Sequence, residues 1–369
     1  MRRRLLYLSF LLVLRLASAQ SSVDTAQGQA MIKLLESCHA GDASPASIEQ
    51  VMDLPGTRLI IAQQNISRRI TSAQYRTVLA SACKGETAGI QPSEPGARAE
   101  KGVQGLTGDV FPSLLWGRDN VNFLKRRLAA AQENKRFGEV IPLALQNLPE
   151  KVALSPKLYI VMGGRAGAAA LDDGIYIDVL SDAWRSREKN APMTAQEMVE
   201  FFAHETHHVG YGEILDQKKQ QLHLVGGEEQ AWRFLKALMM EGSATLLINA
   251  HGSWTELEKQ NHIQADLPRL PQLLQETQSL LRQTLTGEMS DLEYQRVVSD
   301  FFGEGYHATG ARLLYVIEEV QGKPGVMRVM EDPRKLVTVY NECAAKKNEP
   351  FRFDPHVAKK LQQLGTSGR

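Results

Sequence analysis

Apolar and polar positions recur with two different periods along this chain. Helical spacing is read over residues 24–38, 46–53, 70–83, 118–134 and 137–147. Ser44-Pro45 introduces the second of these segments, and Thr71 or Ser72 suits the cap of the third. Lys84 to Gly102 is rich in Gly, Pro, Ala and Glu and carries no periodicity, so it reads as a loop. The pattern then changes. Leu158-Tyr159-Ile160-Val161 and Gly174-Ile175-Tyr176-Ile177-Asp178-Val179 are short runs of strand formers. The stretch between them, Met162 to Ala170, lacks the G-x-G-x-x-G spacing of a phosphate loop and reads as a turn in a small sheet. From Thr194 onward nearly everything is helical, with breaks at Gly210–Gly212, Gly226-Gly227, Pro268–Pro271, Gly303–Gly305 and Pro324-Gly325. The expected class is α+β, mostly helical. Its parts are an N-terminal helical region over 20–150, a sheet-and-helix unit over 151–225 and a helical lobe over 226–369.

Composition narrows the function classes. With 43% hydrophobic residues in a chain of 369, a sizeable core can form. The 43 basic and 42 acidic residues leave a net charge of +1, which argues against a nucleic-acid binder. No self-similar period is present, so repeat architectures drop out. Arg2, Arg3 and Arg4 precede the mostly apolar Leu5 to Leu16, and Ala17-Ser18-Ala19 fits an A-x-A cleavage site. Residues 1–19 therefore read as an export signal, and the mature chain is expected to be periplasmic or extracellular. Removing them takes away four arginines and leaves a net charge of −3. Arg15 makes this stretch a poor membrane anchor, and no later segment is apolar for long enough to span a bilayer. Cys38, Cys83 and Cys343 lack the close spacing of a zinc knuckle. In an oxidising compartment Cys38 and Cys83 can pair, while separate half-buried thiols fit the sequence as well.

One segment carries chemistry. Thr194 followed by Glu197 is a capping box, so a helix begins there, with Met198, Phe201 and Phe202 on its apolar face and Gly210 or Gly212 as its expected stop. Inside it lies His204-Glu205-Thr206-His207-His208, an H-E-x-x-H motif. Side chains at i and i+4 stack on one helical face, so His204 and His208 can grip one ion together. Glu205, rotated by about 100°, can face a water held at the ion's open position and act as general base. Zinc is the expected cofactor. His207 is expected to support the site from behind or to face solvent.

A catalytic zinc needs a third protein ligand. The extended motif H-E-x-x-H-x-x-G-x-x-H is excluded, because Tyr211 and Ile214 occupy its glycine and histidine positions. Glu241 is the better candidate, a single acid among Trp232, Leu235, Leu238, Leu246 and Leu247, where an unpaired carboxylate is costly to bury. Gly242, Ser243 and Ala244 would let its helix approach the one that carries the histidines. Glu213 and Asp216, close behind the expected helix stop, stay open as alternatives.

The motif at His204–His208, followed 33 residues later by Glu241-Gly242-Ser243-Ala244, resembles gluzincin metallopeptidases, in which a second helix supplies a glutamate ligand. Tyr306-His307-Ala308-Thr309-Gly310, the helix ending at Gly322, Asp332-Pro333-Arg334-Lys335-Leu336 and Tyr340-Asn341 look like the tail of bacterial zinc-dependent peptidases of largely unknown function. The resemblance spans roughly residues 150–345. It implies a zincin-like fold, with a mixed sheet whose strand at 175–179 lies beside the active-site helix and a helical lobe across the cleft. It also implies a Tyr or His opposite the metal that stabilises the oxyanion, for which Tyr306 and His307 are the candidates by position. Aminopeptidase gluzincins carry a glutamate in a Gly-rich strand; the matching stretch, Gly167 to Asp173, has none, which argues against an exopeptidase unless Asp172 or Asp173 substitutes.

His223, His251, His262 and His356 stand alone in polar contexts and read as surface residues, and His39 beside Cys38 has no spacing support. The functional expectation is a secreted zinc peptidase acting on peptide or protein substrates. The alternative is a non-catalytic binding or scaffold protein that keeps the same fold, in which Glu205 would have no use.

Overall fold

The computed structural model describes residues 23–86, 89–92, 97–163, 167–171, 174–180, 193–260, 263–298 and 305–366. The export signal read over residues 1–19, His262 and the Asp172-Asp173 pair lie outside them.

Strand β1 (Val23–Asp24) leads into helices α1 (Ala26–Ala40), α2 (Pro45–Met52), α3 (Pro55–Arg68), α4 (Ser72–Lys84), α5 (Ala97–Gly105), α6 (Phe111–Asp119), α7 (Val121–Glu133) and α8 (Val140–Leu145). Ser44 and Thr71 close capping boxes on α2 and α4, each accepting from the backbone N–H three residues on. Three helices depart from the sequence expectation, among them α6, which fills residues 111–117 ahead of the helix read over 118–134. α3 fills a stretch with no element read into it, started by Pro55 at its first position. α5 begins inside the segment read as a loop. The Cys38–Cys83 disulfide joins α1 to α4, which resolves the pairing that the sequence left open.

The sheet follows. Strands β2 (Leu158–Val161), β3 (Ala168–Leu171) and β4 (Gly174–Asp178) complete a four-stranded mixed sheet in the order β1-β2-β4-β3. β1, β2 and β4 run parallel, and β3 pairs antiparallel with β4. Part of the stretch read as a turn is thus a strand. Alanine has little strand preference of its own, so β3 is imposed by its register on β4, Ala169 opposite Tyr176.

The described residues beyond the sheet form helices α9 (Ala195–Gln220), α10 (Gly227–Ala244), α11 (Trp254–Leu257), α12 (Leu270–Thr286), α13 (Asp291–Arg296), α14 (Gly305–Glu331), α15 (Leu336–Lys347) and α16 (Pro355–Gln362) with short connections. The chain is therefore α+β and mostly helical, with a small mixed sheet, as expected. α9 does not stop at Gly210 or Gly212 but runs on to Gln220. A Cβ at Gly210 would lie 2.6 Å from Leu148 and 2.9 Å from Leu154, so this glycine admits neighbouring side chains rather than ending the helix. α14 kinks at Gly322 (φ 66°), two residues before the Pro324-Gly325 pair where the break was expected.

Among the described residues two apolar cores form. One packs α1–α7 around the sheet and takes Met198 and Phe202 from the first half of α9. The other gathers α10, α12, α14 and α15 and takes Tyr211, Ile214 and Leu215 from the second half. α9 therefore belongs to both, and its middle, residues 204–208, lies where they meet.

Candidate metal centre

Thr194 starts α9 with its capping box, accepting from Glu197 N–H at 3.2 Å while Glu197 accepts from Thr194 N–H at 2.7 Å. Two and a half turns on, His204 and His208 project from one face with ring centroids 4.5 Å apart.

Glu241 meets them from α10. Its Oε2 lies 3.0 Å from His208 Nε2 and 3.5 Å from His204 Nε2. His307, from the first turn of α14, places its own Nε2 3.0 Å from the same oxygen, its ring stacked near that of His204 at 5.9 Å. Three imidazoles thus converge on one carboxylate oxygen. Burial alone would raise the Glu241 pKa, but the nearby His208 and the hydrogen bonds of His204, His208 and His307 hold it well below the carboxylate range. Glu205 faces the same space. Burial pushes its carboxyl up to about 7, with His204 opposing the shift and the Glu241 charge adding to it.

Helix α14 reaches this point because glycine meets glycine. A Cβ at Gly242 would lie 2.4 Å from the Gly310 carbonyl carbon, and one at Gly310 would lie 2.2 Å from the Leu238 carbonyl oxygen. Gly242 therefore serves the α10–α14 crossing and not, as its small size suggests from the sequence, an approach to the histidine helix.

The other candidates lie around this cluster or outside it. Tyr306 packs its ring on Phe234 at 5.5 Å, and burial raises its pKa, with Tyr294 and the Glu241 charge adding to the shift. Glu213 and Asp216 are exposed, the first accepting from Gln217 at 3.2 Å and the second paired with Lys236 at 2.5 Å. His207 does not face solvent: it is fully buried, and desolvation holds its pKa well below the usual histidine value, with the neighbouring His208 and His204 adding to the effect. His39, His223, His251 and His356 are exposed, and His251 sits 3.0 Å from the buried carboxylate of Glu200.

One residue at the centre escaped the sequence reading. Asn249 places Oδ1 2.6 Å from His204 Nδ1, both buried. Its signal was the same as that of Glu241, a single polar side chain in an apolar run, Leu246-Leu247-Ile248-Asn249-Ala250.

The donor set suits zinc. Ligand atoms about 2.0–2.1 Å from a tetrahedral ion stand about 3.3 Å from one another, and the 3.0 and 3.5 Å separations between Glu241 Oε2 and the two Nε2 atoms bracket that value. His204, Glu241 and His307, and likewise His204, Glu205 and His208, each form a group that can hold one ion.

A small mixed sheet, a long helix carrying H-E-x-x-H and a second helix supplying a glutamate are the features that comparison with known proteins must explain. Residues 48–349 match the family described as "Putative zinc dependent peptidase (DUF5700)", and the chain belongs to that family. Zinc is thus its cofactor, and peptides are the substrate class that goes with it. No curated protein and no solved structure matches the chain.

Proposed function

We propose that this protein is an exported metallopeptidase of gluzincin type, zincin-like in fold, with His204, His208 and Glu241 as zinc ligands and Glu205 as general base. The observation that carries the reading is the convergence of His204 Nε2 and His208 Nε2 on Glu241 Oε2, with Glu205 facing the same space. A zinc ion held there supplies Lewis acidity, which polarises a carbonyl and acidifies a water. Glu205, facing the same space, takes a proton from the attacking water and returns it to the departing amine. His307 presents Nε2 beside the ligand carboxylate, where an N–H can donate to the oxyanion that forms on the substrate. Tyr306, packed on Phe234, supports that wall. Export is supported by the leader pattern and by the Cys38–Cys83 disulfide, which persists in an oxidising compartment.

Metal analysis and a peptide-library digest test this reading. One zinc per chain is expected, lost in His204→Ala. Wild type should cleave the library while Glu205→Gln keeps its zinc and loses about 10²–10⁴-fold in rate. Equal background cleavage by both, with zinc bound, would leave a scaffold in place of an enzyme.

A further inference from the structure

A polar contact behind His204 is shorter than any in front of it. Helix α10 does not end cleanly: Thr245–Asn249 continues it as a π turn whose five residues are all buried. Such a turn takes in one extra residue and rotates everything that follows by about 100° around the axis. The side chain delivered to His204 at its end is the Asn249 carboxamide, with Oδ1 2.6 Å from Nδ1. The Asn249 carbonyl in turn accepts from Gln260 Nε2 at 2.9 Å. Two residues on, His251 adopts a left-handed φ of 48° and meets Glu200, one turn before His204 on α9, at 3.0 Å. Gly252 follows at φ 74°, pressed against α14, where a Cβ would lie 2.9 Å from Glu318 Oε1. The segment from 245 to 252 is thus fastened to α9 at two successive turns and bounded by α14 on its far side.

We infer that Asn249 is the positioning residue of the metal centre, an inference that rests on the zinc reading above. A neutral imidazole has one N–H and one lone pair. In the neutral ring that a zinc ion would bind, Nδ1–H is donated to Asn249 Oδ1 and the lone pair lies on Nε2, the atom turned towards Glu241, so the contact with Asn249 restrains the ring in that orientation. His208 has no such support: its Nδ1 is buried without a hydrogen-bond partner among the described residues. The orientation of the H-E-x-x-H pair is therefore held at His204. A carboxamide also suits the charge balance. Glu205 and Glu241 already bring two carboxylates to a site for a doubly charged ion, and an amide oxygen fixes the tautomer without adding a third.

The test compares Asn249→Leu, which keeps the volume and deletes the acceptor, with Asn249→Asp, which keeps an acceptor oxygen in place. Zinc affinity is read by competition with a chelator, coordination by the visible spectrum of the cobalt-substituted protein, and the scaffold by the melting temperature of the metal-free form. Asn249→Leu should bind zinc about 10- to 100-fold more weakly, with an altered cobalt spectrum and a metal-free melting temperature close to wild type. Asn249→Asp should recover most of the affinity. Zinc binding by Asn249→Leu within about twofold of wild type overturns the inference, as does equal weakening in both variants together with a lowered metal-free melting temperature. Wild type that binds no zinc would instead overturn the functional reading, and this inference with it.

Discussion

Gly242 of α10 and Gly310 of α14 touch backbone to backbone, a Cβ on the first falling 2.5 Å from the Cα of the second. Glu241 and His307 lie one residue and one turn away from this contact, so the crossing sets the 3.0 Å separation of their functional atoms. Gly310→Ala should therefore do two things. It should cost about 1–3 kcal/mol by overpacking, and it should weaken zinc binding by moving α14 off α10. Gly212→Ala is the matched control: its Cβ meets only Met240 Cε at an ordinary 3.8 Å. Within α9 that change should be neutral or stabilise by up to about 1 kcal/mol. Denaturant unfolding of the two variants checks the contrast, and equal effects would remove the special role of the crossing.

Glu241 and His307 share a contact but are assigned different work. Glu241→Gln keeps the volume, deletes the charge and should cost zinc affinity severely, on the order of 100-fold or more, with most of the fold intact. A metal affinity within about twofold of wild type would reject Glu241 as ligand. His307→Ala should keep its zinc and lose about 10²–10³-fold in kcat, the loss expected for one oxyanion donor. If its zinc leaves as well, His307 is a ligand.

The raised pKa of Glu205 has a consequence for stability with the metal stripped away. Its carboxyl ionises near 4.5 in an unfolded chain and at about 7 in the fold. The folded state thus holds the proton across that window, and stability fully present below pH 4.5 is lost as the pH climbs through 7. Glu205→Gln has no such proton to lose. Without metal, its stability advantage over wild type should be small at pH 4.5, grow towards pH 7 and level off above it. A gap that is flat with pH, measured by unfolding both proteins in chelator, would contradict the burial assigned to this carboxyl.

The disulfide between Cys38 and Cys83 closes a loop with a sequence separation of 45 residues. Chain entropy sets its worth at about 2–4 kcal/mol. Replacing both cysteines with alanine should lower stability by that amount while leaving zinc affinity unchanged, because the bond ties α1 to α4 in the other core from Glu241 and His307. Loss of zinc in the double variant would show that the two cores are more tightly coupled than their packing suggests.

What the sequence by itself determined is local. Thr194 and Glu197 start α9, and the spacing of His204 and His208 places both on one face whatever surrounds them, because four residues is close to one helical turn. Glu241 was legible for a related reason: a lone acid in an apolar helix demands a partner. The tertiary structure decided the rest. Gly210 and Gly212 look like a stop signal in the sequence, yet Leu148 and Leu154 packed against Gly210 bury that turn and α9 continues. Ala168 to Leu171 has no strand signal until β4 offers its edge. His307 and Asn249 reach the centre from 103 and 45 residues away from His204. Their arrival depends on a glycine crossing and a π turn, features of how helices pack against one another, and no periodicity within a single helix encodes the angle at which it meets the next.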